Sequence, residues 1–191
     1  MKSTFRAKSN RGFTLIELMI AVVIVGVLAG LATIGVGKAV RSTRAAKVDS
    51  MFASVAAAQE VYRNSKGRYA ASTGWSPSAV PSGEAKPMSA ADDPVWGQLG
   101  IVPASQTWFT YYIQAGTPAS TGGIVAGCDK PSALISADFS SVEMCQKLAA
   151  GSYWWQIVAV GDQDGDGVDA YYVQTSGMVA DGALYKVNNL E

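Results

Sequence analysis

Four aspartates fall within the eight residues Asp162-Gln163-Asp164-Gly165-Asp166-Gly167-Val168-Asp169, and carboxylates at this spacing are cation ligands. A turning backbone aims every second side chain at one centre and glycine permits the sharp bend. Asp162, Asp164 and Asp166 therefore reproduce the first half of a calcium loop. Asp169 extends the run toward the pattern of repeat-type calcium loops. The bidentate acid that closes an EF-hand is missing, because Val173 stands at the twelfth position inside a strand-like run, so a full EF-hand is not expected. The competing reading is a solvated hairpin turn, for which Asp-Gly is a favoured dipeptide. A turn needs only one or two of these mutually repelling acids.

Other chemistry is narrowed by what the composition lacks. The 191 residues contain no histidine, which removes a Ser-His-Asp triad, a Cys-His dyad and any histidine-ligated metal. The acids gather in one loop and look like cation ligands rather than the separated acid and base of sugar hydrolysis. No enzymatic activity is expected. The five tryptophans and eight tyrosines read as packing residues rather than ligand sites. Trp154 and Trp155 must point to opposite faces of a strand, one toward the core and the other toward a loop, solvent or a neighbouring subunit.

A second carboxylate stands in an unusual place. From Leu18 to Val36 nearly every residue is apolar or glycine, and at about 1.5 Å per helical residue the run is long enough to span a bilayer core. Glu17 lies at its edge, where a lone charge needs a reason. An ordinary secretory signal has a shorter apolar core and a small-residue cleavage site behind it. A plain membrane anchor explains the length but neither Glu17 nor the Gly12-Phe13 pair ahead of it.

Gly12-Phe13-Thr14-Leu15-Ile16-Glu17, followed by an unbroken apolar helix, resembles the class III signal of type IV prepilins and type II secretion pseudopilins. The resemblance implies cleavage between Gly12 and Phe13 by an inner-membrane prepilin peptidase and methylation of the new amine. Glu17 then lies one helical turn from that amine. In staggered neighbouring helices it can pair with the amine of Phe13 on another chain, which sets filament register. A buried carboxylate without that partner costs several kcal/mol.

Charge and cysteines are consistent with export. The formal charge is zero, but Lys2, Arg6, Lys8 and Arg11 all lie in residues 1–12, which hold no acid. Losing them leaves 11 basic against 15 acidic side chains, a balance of −4. That argues against nucleic acid as the main partner. Lys38, Arg41, Arg44 and Lys47 follow the apolar run at intervals of three as a solvated or headgroup-facing stripe, so basic residues flank the run on both sides and do not orient it. The resemblance does, with the leader in the cytoplasm. Cys128 and Cys145 read as one disulfide closing a loop of about 18 residues, worth roughly 3 kcal/mol. Such a loop resembles the D-region of pilins, although here it lies farther from the carboxyl end.

The elements that position these groups follow from periodicity. A helix is expected over 14–64, about 75 Å long. Its outer half carries Val48, Phe52, Val55, Gln59 and Tyr62 on one stripe, with Met51 and Ala58 beside it and Asp49, Ser54, Glu60 and Arg63 opposite. The proline that pilins usually carry about twenty residues into the mature helix is absent; Gly26, Gly30, Gly35 and Gly37 loosen that region instead, each by roughly 0.5–1 kcal/mol. Residues 67–106 form a long Gly- and Pro-punctuated connection with one short helix at 92–99, in the place of the pilin αβ-loop. Strands are expected at 107–115, 152–160, 170–175 and 183–188.

The reading is α+β: a pilin-like fold with a long N-terminal helix, its first half membrane-embedded, packed on a roughly four-stranded antiparallel meander. The expected organisation is a leader at 1–12, a membrane and assembly segment at 13–37 and an exported domain at 38–191. The function implied is a structural subunit of a type IV pilus serving motility, adhesion or DNA uptake, with a type II secretion pseudopilin as the alternative. A membrane-anchored calcium-dependent binding module is the distant third. The expected partners are copies of itself, other pilins, the prepilin peptidase, the inner-membrane assembly platform and, before assembly, membrane lipid. The precursor belongs to a bacterial inner membrane and the product to an extracellular fibre or periplasmic pseudopilus. Calcium at Asp162, Asp164, Asp166 and Asp169 is the one cofactor expected, and the resemblance adds that some pilins and major pseudopilins bind calcium in a loop near this position.

Overall fold

The computed structural model describes residues 12–118, 152–176 and 185–187. Cys128 and Cys145, and with them the expected disulfide, lie outside these residues. The chain divides into two compact units, Met1–Val40 and Arg41–Glu191.

Helix α1 runs unbroken over Leu15–Lys66, 52 residues. No proline interrupts it, and Gly26, Gly30 and Gly37 have nothing within 4 Å of where a Cβ would stand. It ends at Gly67, whose N–H reaches the Arg63 carbonyl at 2.7 Å. Within the first unit the apolar residues of α1 are exposed, from Leu15 at 77 % to Leu31 at 68 %. Apolar side chains this exposed call for cover in lipid or in other chains. It is long and apolar enough to cross a membrane.

The second unit is an α+β domain. After α1 come β1 (Lys86–Pro87), α2 (Pro94–Leu99), β2 (Gln106–Thr107), β3 (Thr110–Gly116), β4 (Trp154–Gly161), β5 (Ala170–Thr175) and β6 (Tyr185–Val187). Strands β3-β4-β5-β6 form an antiparallel meander in that order, while β1 and β2 make a separate two-stranded sheet. The register places Ile113 opposite Ile157, Ala159 opposite Tyr172 and Gly161 opposite Ala170.

The core lies between α1 and one face of the meander. Val48, Phe52 and Val55 pack with Phe109, Tyr111, Ile113, Trp155, Ile157 and Tyr172. Gln59 lies on the same stripe and is fully buried. Its amide pairs with the Ala70 backbone, accepting from N at 2.9 Å and donating to O at 2.8 Å. Both polar ends of the side chain are thus satisfied, as burial requires.

One sequence expectation changes here. The single first strand, 107–115, is two: Thr107 Oγ1 accepts from Phe109 N–H at 3.1 Å and donates to its carbonyl at 2.8 Å, a local turn that separates β2 from β3. The sheet is also covered on both faces. Val158, Val160, Tyr171 and Val173 form a second cluster under Trp75 and Val80, so all eight residues of β4 are buried. Trp154 and Trp155 do point to opposite faces, yet neither meets solvent, at 2 % and 0 % exposure.

Short helix α2 is capped by Asp93, whose Oδ1 accepts from Val95 N–H at 2.9 Å. Its Oδ2 takes the backbone N–H of Thr73 at 2.7 Å and of Gly74 at 3.1 Å. One buried carboxylate thereby ties the connection after α1 to α2.

Candidate functional site

The chain carries two candidate sites, one in each unit. At the start of α1, Gly12, Phe13 and Thr14 precede the first helical turn in irregular backbone, with Phe13 83 % exposed. Thr14 Oγ1 accepts from Glu17 N–H at 3.3 Å. Glu17 Oε2 accepts from Thr14 N–H at 3.4 Å and Thr14 Oγ1 at 3.3 Å. This reciprocal pair is a capping box, in which a threonine and a glutamate three residues on satisfy backbone donors that the helix leaves free. Thr14-x-x-Glu17 is a sequence-level signature of it, and Thr14 is the residue that the sequence reading missed. Glu17 therefore fixes where α1 begins, and its carboxylate sits at the positive end of the helix dipole.

The second site is the hairpin loop between β4 and β5. Asp162 is buried at its base and accepts from Ser82 Oγ at 2.7 Å, Gly165 N–H at 2.7 Å and Gly167 N–H at 3.1 Å. Its backbone also pairs with the connection after α1: Asp162 N–H meets the Pro81 carbonyl and Gly83 N–H the Asp162 carbonyl, both at 2.9 Å. Gly83 and Gly165 pass so closely that a Cβ on Gly83 would stand 3.4 Å from the Gly165 Cα, and both have positive φ, +64° and +81°. A side chain at either position is strained.

On its other side the loop meets α1. Arg41 Nη1 donates to Asp164 Oδ2 at 2.6 Å and Arg44 Nη1 to the Gln163 carbonyl at 2.8 Å. The Arg44 guanidinium also lies 3.2 Å over the Trp108 ring. The stripe read as solvated is at these two positions a clamp on the acidic loop. No local pattern announces it, because the partners are more than a hundred residues apart.

Oxygens of Asp162, Asp164 and Asp166 all lie within 4.8 Å of one another. Calcium takes six to eight oxygens at about 2.3–2.6 Å, so three oxygens at this separation can share one ion. Asp169 stands outside the trio; its Oδ2 accepts from the Tyr171 hydroxyl at 3.1 Å. Asp166 Oδ1 takes Val168 N–H at 2.8 Å. The donor set is hard oxygen and fits calcium, with Arg41 holding one of the carboxylates.

Electrostatics separates the acids further. Burial works to raise the pKa of Asp162, but the Ser82 hydroxyl and the backbone N–H groups of Gly165, Gly167 and Asp164 favour its charged form more strongly, and the net shift is downward. Asp169 is shifted upward, first by burial and then by the charge of Asp162, against the Tyr171 hydrogen bond.

Residues 7–33 match the family model for the prokaryotic N-terminal methylation motif, which covers the Gly12-Phe13 pair, Glu17 and most of the apolar run. No curated protein and no solved structure gives a significant match.

Proposed function

We propose that this chain, a type IV pilin-like protein by virtue of the methylation motif at residues 7–33, is a structural subunit of a type IV pilus. The observation that carries the reading is the helix behind the motif. From Leu15 to Leu31 its large apolar side chains are exposed in the isolated chain, and the Gly12-Phe13 bond ahead of it is accessible. Lipid covers that surface in the precursor, and the helices of other copies cover it in a fibre.

The sequence of events follows. The prepilin peptidase cuts after Gly12 and methylates Phe13. The assembly platform extracts the processed chain, and Glu17 accepts the amine of a neighbouring Phe13 as register is set. Before that step Glu17 is held by Thr14, so its charge has a partner while the chain waits in the membrane. The test is to shear surface fibres from cells and search them by mass spectrometry for this chain and its peptide beginning at methylated Phe13. Its presence in fibres supports the reading. Processed chain confined to the envelope would assign it instead to a type II secretion pseudopilus.

The pseudopilin reading has one feature in its favour, the clustered oxygens of Asp162, Asp164 and Asp166. Calcium bound there would brace the β4–β5 hairpin. Circular-dichroism melting with calcium and with chelator tests the ion directly, and an unchanged midpoint would remove it.

A further inference from the structure

A cleft in the second unit shares Arg44 with the clamp on the acidic loop and is otherwise used by neither site. Arg44, Lys47, Met51 and Ser54 recur along α1 at intervals of three and four, on a stripe beside that of Val48, Phe52 and Val55. With Met88 and the segment 101–111 they enclose a volume of ≈ 320 Å³. That is at the small end of ligand pockets, about 300–1,000 Å³. The floor is apolar: Met88 and Phe109 are buried, and Met51 and Ile101 are half-buried. Val102, 89 % exposed, stands at the lip.

Arg44 and Lys47 are the cations of the lining. Arg44 bonds a carbonyl oxygen and faces a ring, and among the described residues no carboxylate lies within 4.0 Å of Arg44 or Lys47. Burial and the neighbouring Arg41 charge both press on the guanidinium, which lowers its pKa. Asp164, next to the Gln163 that Arg44 bonds, is paired with Arg41.

We propose that this cleft binds a medium-chain carboxylate amphiphile, its tail over Met51, Met88, Ile101 and Phe109 and its carboxylate on Arg44 and Lys47. An apolar floor alone accepts any hydrophobe; two cations in the lining with no carboxylate partner among the described residues select an anion. A guanidinium fork matches the planar carboxylate and the pair strengthens where water is excluded. Methionine adapts to a flexible tail. The volume holds one short chain and has no room for a two-tailed lipid.

The test uses the full-length chain in phosphatidylcholine nanodiscs with a diazirine-tagged dodecanoate, photolysed and mapped by mass spectrometry. Label is expected on peptides holding Met51, Met88 or Ile101, falling about tenfold in Lys47→Gln and in Arg44→Gln. Met51→Trp, which fills the cleft and leaves both cations, should abolish it while circular dichroism stays unchanged. The tagged dodecanol, without charge, should label only the apolar run at 13–37. Dodecanoate label confined to that run, or equal labelling of the cleft by the alcohol, overturns the proposal. So does a benzoylphenylalanine at Val102 that crosslinks chain to chain and is not competed by dodecanoate, since the cleft would then belong to a second copy.

Discussion

Arg41 and Asp164, 123 positions apart, meet at 2.6 Å, and the bond joins the first turn of the second unit's helix to the tip of its acidic loop. Both side chains are 31 % exposed, so the pair is worth at most about 1 kcal/mol. Its interest lies in competition, because the oxygen that Arg41 holds is one that a cation in the loop would use. Arg41→Gln is expected to lower the melting midpoint of the calcium-free protein slightly and to enlarge the shift on adding calcium. A calcium response that stays the same or shrinks would show that Arg41 and the ion do not share Asp164. Calorimetric titration of both proteins gives the comparison directly.

Asp162 and Asp169 pull the acid stability in opposite directions. Asp162 titrates below its ordinary value, so its contribution is present above the unfolded pKa and is lost as pH falls through the folded one. Asp169 is shifted upward, so its contribution is present below the unfolded pKa and is lost as pH rises through the folded one. Urea melts between about pH 2 and 6 should show Asp162→Asn flattening the limb below about pH 4. Asp169→Asn should remove a decline just above it. An acid limb that Asp162→Asn leaves unchanged would contradict the hydrogen-bonded role of that carboxylate.

Gln59 carries a buried amide that, among the described residues, the Ala70 backbone satisfies. Gln59→Leu keeps the side chain's approximate size and leaves the Ala70 N–H and carbonyl without a partner. The expected loss is about 1–3 kcal/mol, measured by denaturant unfolding. Gln59→Ala should cost more, since it adds a cavity. A Leu variant as stable as the native chain would mean that Ala70 finds other partners.

Much of this architecture is written in local pattern. Val48, Phe52, Val55 and Gln59 recur at helical spacing and are buried where that spacing puts them. The short helix expected at 92–99 is found as α2, and Ala170–Thr175 coincides with β5. The β1–β2 pairing did not show, because two strands of two residues each have no periodicity to detect. Four aspartates in a Gly-rich turn read as cation ligands or as a solvated turn; that Asp162 is buried has its reasons far away in the sequence, at Ser82 and Pro81. Periodicity reports which face of an element is apolar. It is silent on which distant polar groups will meet there.

Gly161 sits where β4 passes under the β2–β3 turn, and a Cβ there would overlap the Trp108 carbonyl oxygen and crowd the Phe109 ring. Backbone cannot give way as the end of a side chain does, so Gly161→Ala forces the turn off the sheet. The same turn holds Trp108 against Arg44, and its loss should also loosen the acidic loop. The expected cost is about 1–3 kcal/mol, from overpacking in a close-packed interior. Thermal unfolding checks the size, and hydrogen exchange at Asp162–Gly167 checks the path.

Thr14 and Glu17 make the last test, because they separate two duties of one carboxylate. As partner in the capping box, Glu17 starts α1; as the acceptor proposed for a neighbour's Phe13 amine, it sets register. Thr14→Ala removes the cap at a cost of about 0.5–2 kcal/mol to the first turn while leaving the charge in place. Glu17→Val removes both. Peptidase cleavage after Gly12 is expected in each variant, followed by immunoblot for the processed chain. Fibre incorporation should survive in Thr14→Ala and fail in Glu17→Val. Equal failure of the two would assign Glu17 the helix start alone, since an intact carboxylate would then not have rescued assembly. Normal incorporation of Glu17→Val would remove the register role altogether.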